Sequence, residues 1–171
     1  MAEYDCPSGE FDYNYFLADT RRAMNELSIV ETTDVGSKLI LTSYDAMRSH
    51  LHKQNSEHPV HVLSLLDFSF DLHKDITHRI FMIEDAEDED IKTLFDPSIE
   101  FITKGLSIPN TTVIVHCYAG ISRSSSVVLA YLMKEKNMPL DDAFAHLVTK
   151  RRIVEPNDGF WTQLEEFENE I

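Results

Sequence analysis

Cysteine is scarce in this chain: 171 residues hold two, Cys6 and Cys117. Two thiols cannot build the disulfide framework on which small secreted domains rely. The length suits one domain with a single sizeable core, which needs no such staples. Long apolar runs are missing as well, and none approaches the ~18 residues of a membrane span. The opening MAEYDCPSGEFDYNY has no basic start, no apolar stretch and no glycine at position 2. Neither a signal peptide nor a myristoyl anchor is therefore expected. The expected location is cytoplasmic, with the nucleus as an alternative, and there the thiols stay reduced. Cys6, in a polar lead-in, reads as a bystander.

Positive charge is the next shortage. Lys and Arg number 15 against 30 Asp and Glu, for a net charge of −15. Such a surface repels nucleic acid and anionic membranes, so no nucleic-acid partner and no membrane anchor are expected. An anion handled by this protein must be handled in a local pocket, and its partners should carry basic patches. The triplet KRR at 150–152 is too short to argue for nuclear import or nucleic-acid binding. Metal-site patterns are lacking too. His50 with His52, and His58 with His61, have ligand-like spacing, but no HExxH frames them and no cysteine joins them. The run from Asp85 to Asp90 lacks the glycine of a calcium loop. No metal and no cofactor are expected.

What is present is an ordinary globular composition, 43% hydrophobic and 26% charged, with apolar segments that change period along the chain. Residues 1–10 read as a loose acidic tail, and 11–27 as a helical lead-in. Short strands are expected at 38–42, 58–66, 79–83 and 112–116, the second and last of the fully buried kind. Helices are expected at 43–55 behind a Ser43 cap, at 90–106 with Pro97 bending it, and at 124–137, 139–152 and 157–171. Phe160, Trp161, Leu164 and Phe167 form the core-facing stripe of the last helix. Strands alternating with helices predict a single α/β domain: a central, mostly parallel twisted sheet with helices on both faces. No repeat and no second domain stand out. Residues 1–30 are expected to form the lead-in and 31–171 the folded domain.

The stretch HCYAGISRSS at 116–125 carries the chemistry. It runs from the strand TVIVH into the apolar helix SSSVVLAYLM. Ligand sites in parallel sheets lie at the carboxyl ends of strands. The helix start that follows supplies unpaired N–H groups and a positive dipole end. Ala119 and Gly120 let the backbone come close to a bound group, and Ile121 and Ser122 complete the loop. Arg123 can grip a tetrahedral oxyanion with two parallel bonds, which a lysine cannot. Cys117 stands at the base, where a helix N-terminus and a nearby cation favour the thiolate. Sulfur attack on a phosphate monoester fits this arrangement. It requires a general acid for the leaving oxygen. The acidic run 84–90 offers candidates, although such a run is ordinarily just a solvated surface.

HCYAGISRSSSVVLAYLM resembles the signature of the dual-specificity protein phosphatases, a branch of the cysteine-based phosphatases. EPNDGFWTQLEEFE (155–168) resembles that family's PN-x-GF-x-x-QL ending. VHVLSLL and KLILTSYDAM resemble its strand before the acid loop and its opening strand. The likeness spans about residues 37–171. It implies Cys117 as the nucleophile that forms a phosphocysteine, and Arg123 as the phosphoryl-binding cation. It implies Ser124 as a donor to the sulfur, Tyr118 to Ser122 as the amide cradle, and His116 and Asn157 as supports. The acid aligns to Asp85, with Asp88 as the alternative. Ser64 and Thr42 stand where the family often has Asn and Gly, and at neither is an effect on the chemistry expected. The retained cysteine implies activity. The absence of basic residues in YAGIS implies a phosphorylated protein, at phosphotyrosine and phosphoserine or phosphothreonine, acted on by a small stand-alone member. Two rivals remain at this point. One is a phosphoprotein-binding module that turns over poorly; the other is a phosphatase of a phosphorylated lipid or small molecule.

Overall fold

A computed structural model describes residues 13–53 and 58–171. The expected acidic tail and Cys6 lie outside the described residues. The first element is α1 (Tyr13–Met24), within the expected lead-in. It is followed by β1 (Ser28–Thr32), a strand the sequence reading does not foresee. SIVET is short and half polar, with Ser28 and Val30 buried and Ile29 exposed. It becomes a strand because β2 (Lys38–Ser43) offers an antiparallel partner, with Ser28 opposite Leu41. β1 crosses the expected 30/31 boundary and belongs to the sheet.

Ser43 caps α2 (Tyr44–Lys53) as expected, accepting from the Ala46 amide at 3.2 Å. Next come β3 (Val60–Leu66), β4 (Thr77–Met82) and a 3-10 turn at Lys92–Leu94. α3 (Phe95–Leu106) begins five residues later than expected. Pro97 is its third residue, where a missing N–H costs no intrahelical bond, so it opens the helix rather than bending it. β5 (Thr112–Cys117), α4 (Arg123–Lys136), α5 (Leu140–Lys150) and α6 (Asp158–Glu168) complete the chain. α4 stops at Asn137, which takes the left-handed conformation at φ 53°.

The five-stranded sheet has the order β1-β2-β5-β3-β4, parallel except for β1. β5 is central, with Ser43 beside Cys117 on one flank and Ser64 beside His116 on the other. Strand alternation splits the apolar residues between two faces. Leu39, Leu41, Leu63, Leu65, Val113 and Val115 meet α3, α4, α5 and α6. Ile40, Val60, Val62 and Ile114 meet Met47 of α2 on the other face. Each such side chain, fully buried, is worth roughly 1.5–3 kcal/mol. α4 is buried from Arg123 through Met133 because it lies between the sheet and the other three helices. The central strand and the central helix are therefore joined by the five-residue loop 118–122 that carries the motif, and the rest of the fold holds both its ends.

Candidate active site

Cys117 ends β5 and is 1% exposed. Two donors reach its sulfur at 3.2 Å: the Gly120 amide and the Ser124 hydroxyl. Both favour a charged acceptor.

The loop carbonyls reveal how the cradle is held. The His116 ring holds the Cys117 oxygen (3.2 Å), and the Tyr44 amide holds that of Tyr118 (3.1 Å). Arg151 holds those of Ala119 (3.0 Å) and Gly120 (2.7 Å). The Glu155 amide takes the oxygen of Ile121 (3.0 Å), and the Ser126 amide takes that of Ser122 (2.9 Å). No peptide bond among the described residues is cis. In a trans peptide the N–H points opposite to the preceding C=O. Six carbonyls pinned on the outside therefore direct the amides of Tyr118 through Arg123 to the inside, toward the sulfur. The serines that follow help with this. The Ser125 hydroxyl donates to the carbonyls of Ile121 and Ser122, and the Ser126 hydroxyl donates to that of Ser122.

Gly120 carries a constraint of its own. It has φ 71°, and a Cβ there would lie 2.4 Å from the Thr42 carbonyl oxygen and 2.7 Å from an Arg151 nitrogen. Glycine is required by the left-handed backbone and by the packing behind the loop.

Ser64 and Thr42 both have identifiable partners. The Ser64 hydroxyl lies 2.7 Å from His116 Nε2 and 2.9 Å from His78 Nε2. Burial first of all pushes His116 down to about 4, so at neutral pH it is uncharged. A carbonyl can only accept, so Nδ1 carries the proton given to Cys117 O. Nε2 then accepts from Ser64, whose oxygen accepts from His78. The chain His78–Ser64–His116 thus ends on the peptide of the nucleophile candidate. Thr42 lies directly behind Gly120, and its hydroxyl donates to the Glu26 carbonyl at 2.8 Å.

Arg123 opens α4 and is 7% exposed. One terminal nitrogen donates to the Ile83 carbonyl at 3.2 Å. Its Nε lies 3.4 Å from Asp85 Oδ2 and is buried without a hydrogen-bond partner among the described residues. Asp85 Oδ1 accepts from Ser122 (2.6 Å) and from the Asn157 side-chain amide (3.0 Å). Asn157 works twice, since its Oδ1 caps α6 by accepting from Phe160 N at 2.9 Å. Asp88 lines a separate groove with Lys92, Gln163 and Glu166. Gln163 clasps the acidic loop, donating to Glu89 O at 2.8 Å and accepting from Lys92 N at 2.9 Å. Gly159 leaves room for it, because a Cβ there would sit 1.9 Å from Glu87 O. The PN-x-GF-x-x-QL ending is thus the dock of the acidic loop.

Sequence reasoning finds Cys117, Arg123, Asp85, Ser124, His116 and Asn157, and the structure brings them together. It misses Ser64, His78, Tyr44, Glu155 and Arg151. Arg151 lies inside the KRR triplet, which the sequence reading weighs only for nuclear import or nucleic-acid binding.

The geometry defines a thiol-based oxyanion site, and comparison with known proteins agrees. Residues 39–170 match the family described as dual specificity phosphatase, catalytic domain. Dual specificity protein phosphatase 1 of Arabidopsis thaliana is 32% identical over 157 residues, 91% of this chain and 75% of that protein. The human dual specificity protein phosphatase 1 is 43% identical over 96 residues, 55% of this chain but 25% of that one. The crystal structure of human tyrosine phosphatase-like serine/threonine/tyrosine-interacting protein has TM-score 0.73 at 28% identity, covering 85% of this chain and 97% of the other. This chain belongs to the dual specificity phosphatase family. Its activity class is that of a dual-specificity protein phosphatase. Among the described residues no helix is long and apolar enough to cross a membrane.

Proposed function

We propose that this protein hydrolyses phosphotyrosine and phosphoserine or phosphothreonine in protein substrates through a phosphocysteine on Cys117, with Asp85 as its proton-transfer group. The Gly120 N–H and the Ser124 hydroxyl on one buried sulfur, in a loop where the six carbonyls of residues 117–122 are held by other partners, carry this reading. The amides and the Arg123 fork bind the three non-bridging phosphoryl oxygens. The Cys117 thiolate attacks phosphorus, and an S–P bond forms as the bond to the leaving oxygen breaks. The Asp85 carboxyl, next to Arg123, gives its proton to that oxygen. The resulting carboxylate then takes a proton from water. The water oxygen attacks phosphorus, the S–P bond breaks, and inorganic phosphate and the thiolate are released. Ser124 and Gly120 N–H receive the returning charge on sulfur. His116 holds the loop, and Asn157 aims Asp85. The site residues need no cofactor for these steps. The choice of a phosphoprotein over a phosphorylated lipid is supported by the loop's lack of basic side chains beyond Arg123, and cytoplasmic work on signalling proteins is part of the same proposal.

The test is hydrolysis of para-nitrophenyl phosphate with EDTA present, wild type beside Cys117→Ser. Turnover in the wild type alone is expected, with vanadate still bound by the variant. Hydrolysis by the variant near the wild-type rate would overturn the covalent route. A wild type that binds vanadate but does not turn over would make the protein a phosphoprotein-binding module. A phosphopeptide panel beside phosphoinositides then tests the substrate class, and faster release from the lipids would overturn the protein reading.

A further inference from the structure

Arg151 caps α5 at its carboxyl end in an extended conformation that turns its side chain back under the loop. It is 3% exposed, yet none of the ion pairs among the described residues includes it. A buried cation without a carboxylate is costly unless its donors are filled. All the acceptors filling them are neutral. Nε and Nη2 give to Gly120 O and Ala119 O. Nη1 gives to Ala23 O (3.0 Å), Glu26 O (3.1 Å) and Ser28 Oγ (3.4 Å). One planar fork therefore grips two loop peptides with one side and the corner between α1 and β1 with the other. A lysine has neither the shape nor the reach for this set.

The two loop peptides are the relevant ones. The peptide whose oxygen is Ala119 O carries the Gly120 N–H that donates to Cys117 Sγ. The next carries the Ile121 N–H. Pulling both oxygens backward aims both amides forward.

We propose that Arg151 is a positioning residue for the phosphatase reaction. It locks two peptides of the loop in their anion-facing orientation, places a second cation behind Cys117, and makes the loop's shape depend on residues 23–28. The proposal rests on the reading of Cys117 as the reacting group. Burial pulls the Arg151 guanidinium down to about 10, and the charges of Cys117 and Glu26 draw it back up. The charge beside the thiol and the cost of burying it thus belong to the same residue. The other ionisable groups around the loop are Arg123 with Asp85, neutral His116 with His78 behind it, Tyr118 in the loop, Tyr44 and Glu155 beside it, and Glu26 at the far side of the Arg151 fork.

The test compares Arg151→Lys and Arg151→Met with wild type, each checked for folding by near-ultraviolet circular dichroism. The readouts are the pH dependence of Cys117 alkylation by iodoacetamide and the inhibition constant of vanadate. Arg151→Met should move the alkylation midpoint upward by about one unit. Both variants should weaken vanadate by about tenfold, with the lysine showing the smaller shift in midpoint because it keeps the charge. A purely structural arginine would lower the melting temperature and leave both readouts unchanged in the folded fraction, which would overturn the proposal. A measurement on the wild type stands if neither variant folds. Saturating tungstate should slow amide hydrogen exchange at residues 23–28 severalfold as well as at 117–124. Slowing confined to 117–124 would overturn the coupling. Alkylation requires no substrate, so failure here is distinct from failure of wild-type turnover, which would count against the phosphatase reading itself.

Discussion

Ser64 is one hydroxyl between two imidazoles, and its removal leaves His116 Nε2 buried without a donor. Ser64→Ala should cost about 1–3 kcal/mol in urea unfolding; a variant as stable as wild type would mean that the hydroxyl is dispensable. His116 itself predicts an acid limit. Its folded value of about 4 lies below the ordinary 6.5. The unfolded chain therefore takes up a proton that the fold refuses, and stability must fall as pH falls through that window. The full span is worth roughly 3 kcal/mol. Burial shifts His50, His61 and His78 in the same direction. Urea midpoints measured from about pH 7 to about pH 4 should decline, and less steeply for His116→Gln; a flat profile would contradict the buried neutral ring. At this scale the sequence was legible where roles are local. Cys117, Ser124 and Arg123 sit on the two sides of one loop, at spacings set by a strand end and a helix start. Ser64, His78 and Arg151 reach the loop only through the fold, and nothing in their neighbours along the chain marks them.

Elements show the same division. β2, β3, β5 and the three last helices were legible because their apolar residues recur at the strand or helix period. β1 was not, since its strand character comes from its pairing with β2. By itself the acidic run read as surface and only the resemblance marked Asp85; α6 shows what holds it, through Asn157, Gly159 and Gln163. Gly159→Ala, whose new methyl would collide with Glu87 O, should therefore displace Asp85 without touching the loop at Cys117. Turnover of alkyl phosphates, which need protonation most, should fall about 10–100-fold. Turnover of para-nitrophenyl phosphate should fall less, and vanadate binding should hold. Asp85→Asn should show the same leaving-group pattern more strongly. Equal losses on both substrates in both variants would move the acid to another residue.

The whole molecule carries a net charge of −15 around a site that binds anions. Long-range repulsion should therefore select among phosphoproteins by their surroundings. Phosphopeptides flanked by Lys or Arg should show higher kcat/KM than acid-flanked ones. The gap should narrow as salt rises from about 0.01 M to about 0.5 M, because the screening length shrinks from ~30 Å to a few ångströms. A preference for basic flanks that survives high salt unchanged would point instead to short-range contacts at the rim. The fold class was legible at this scale, because alternating periods leave few architectures open. The site's dependence on the N-terminal corner was not.

The parallel register of β5 also bears on how the protein is made. The strand that ends in Cys117 is flanked by β2 and β3, which lie tens of residues earlier, and the loop is tied from behind by residues 151 and 155. Such distant pairings are slow to form. On the ribosome, the thiol therefore emerges well before the segment that encloses it. Nascent chains should pass through an interval in which Cys117 is open to oxidants, and the folded loop is then also the sulfur's shelter.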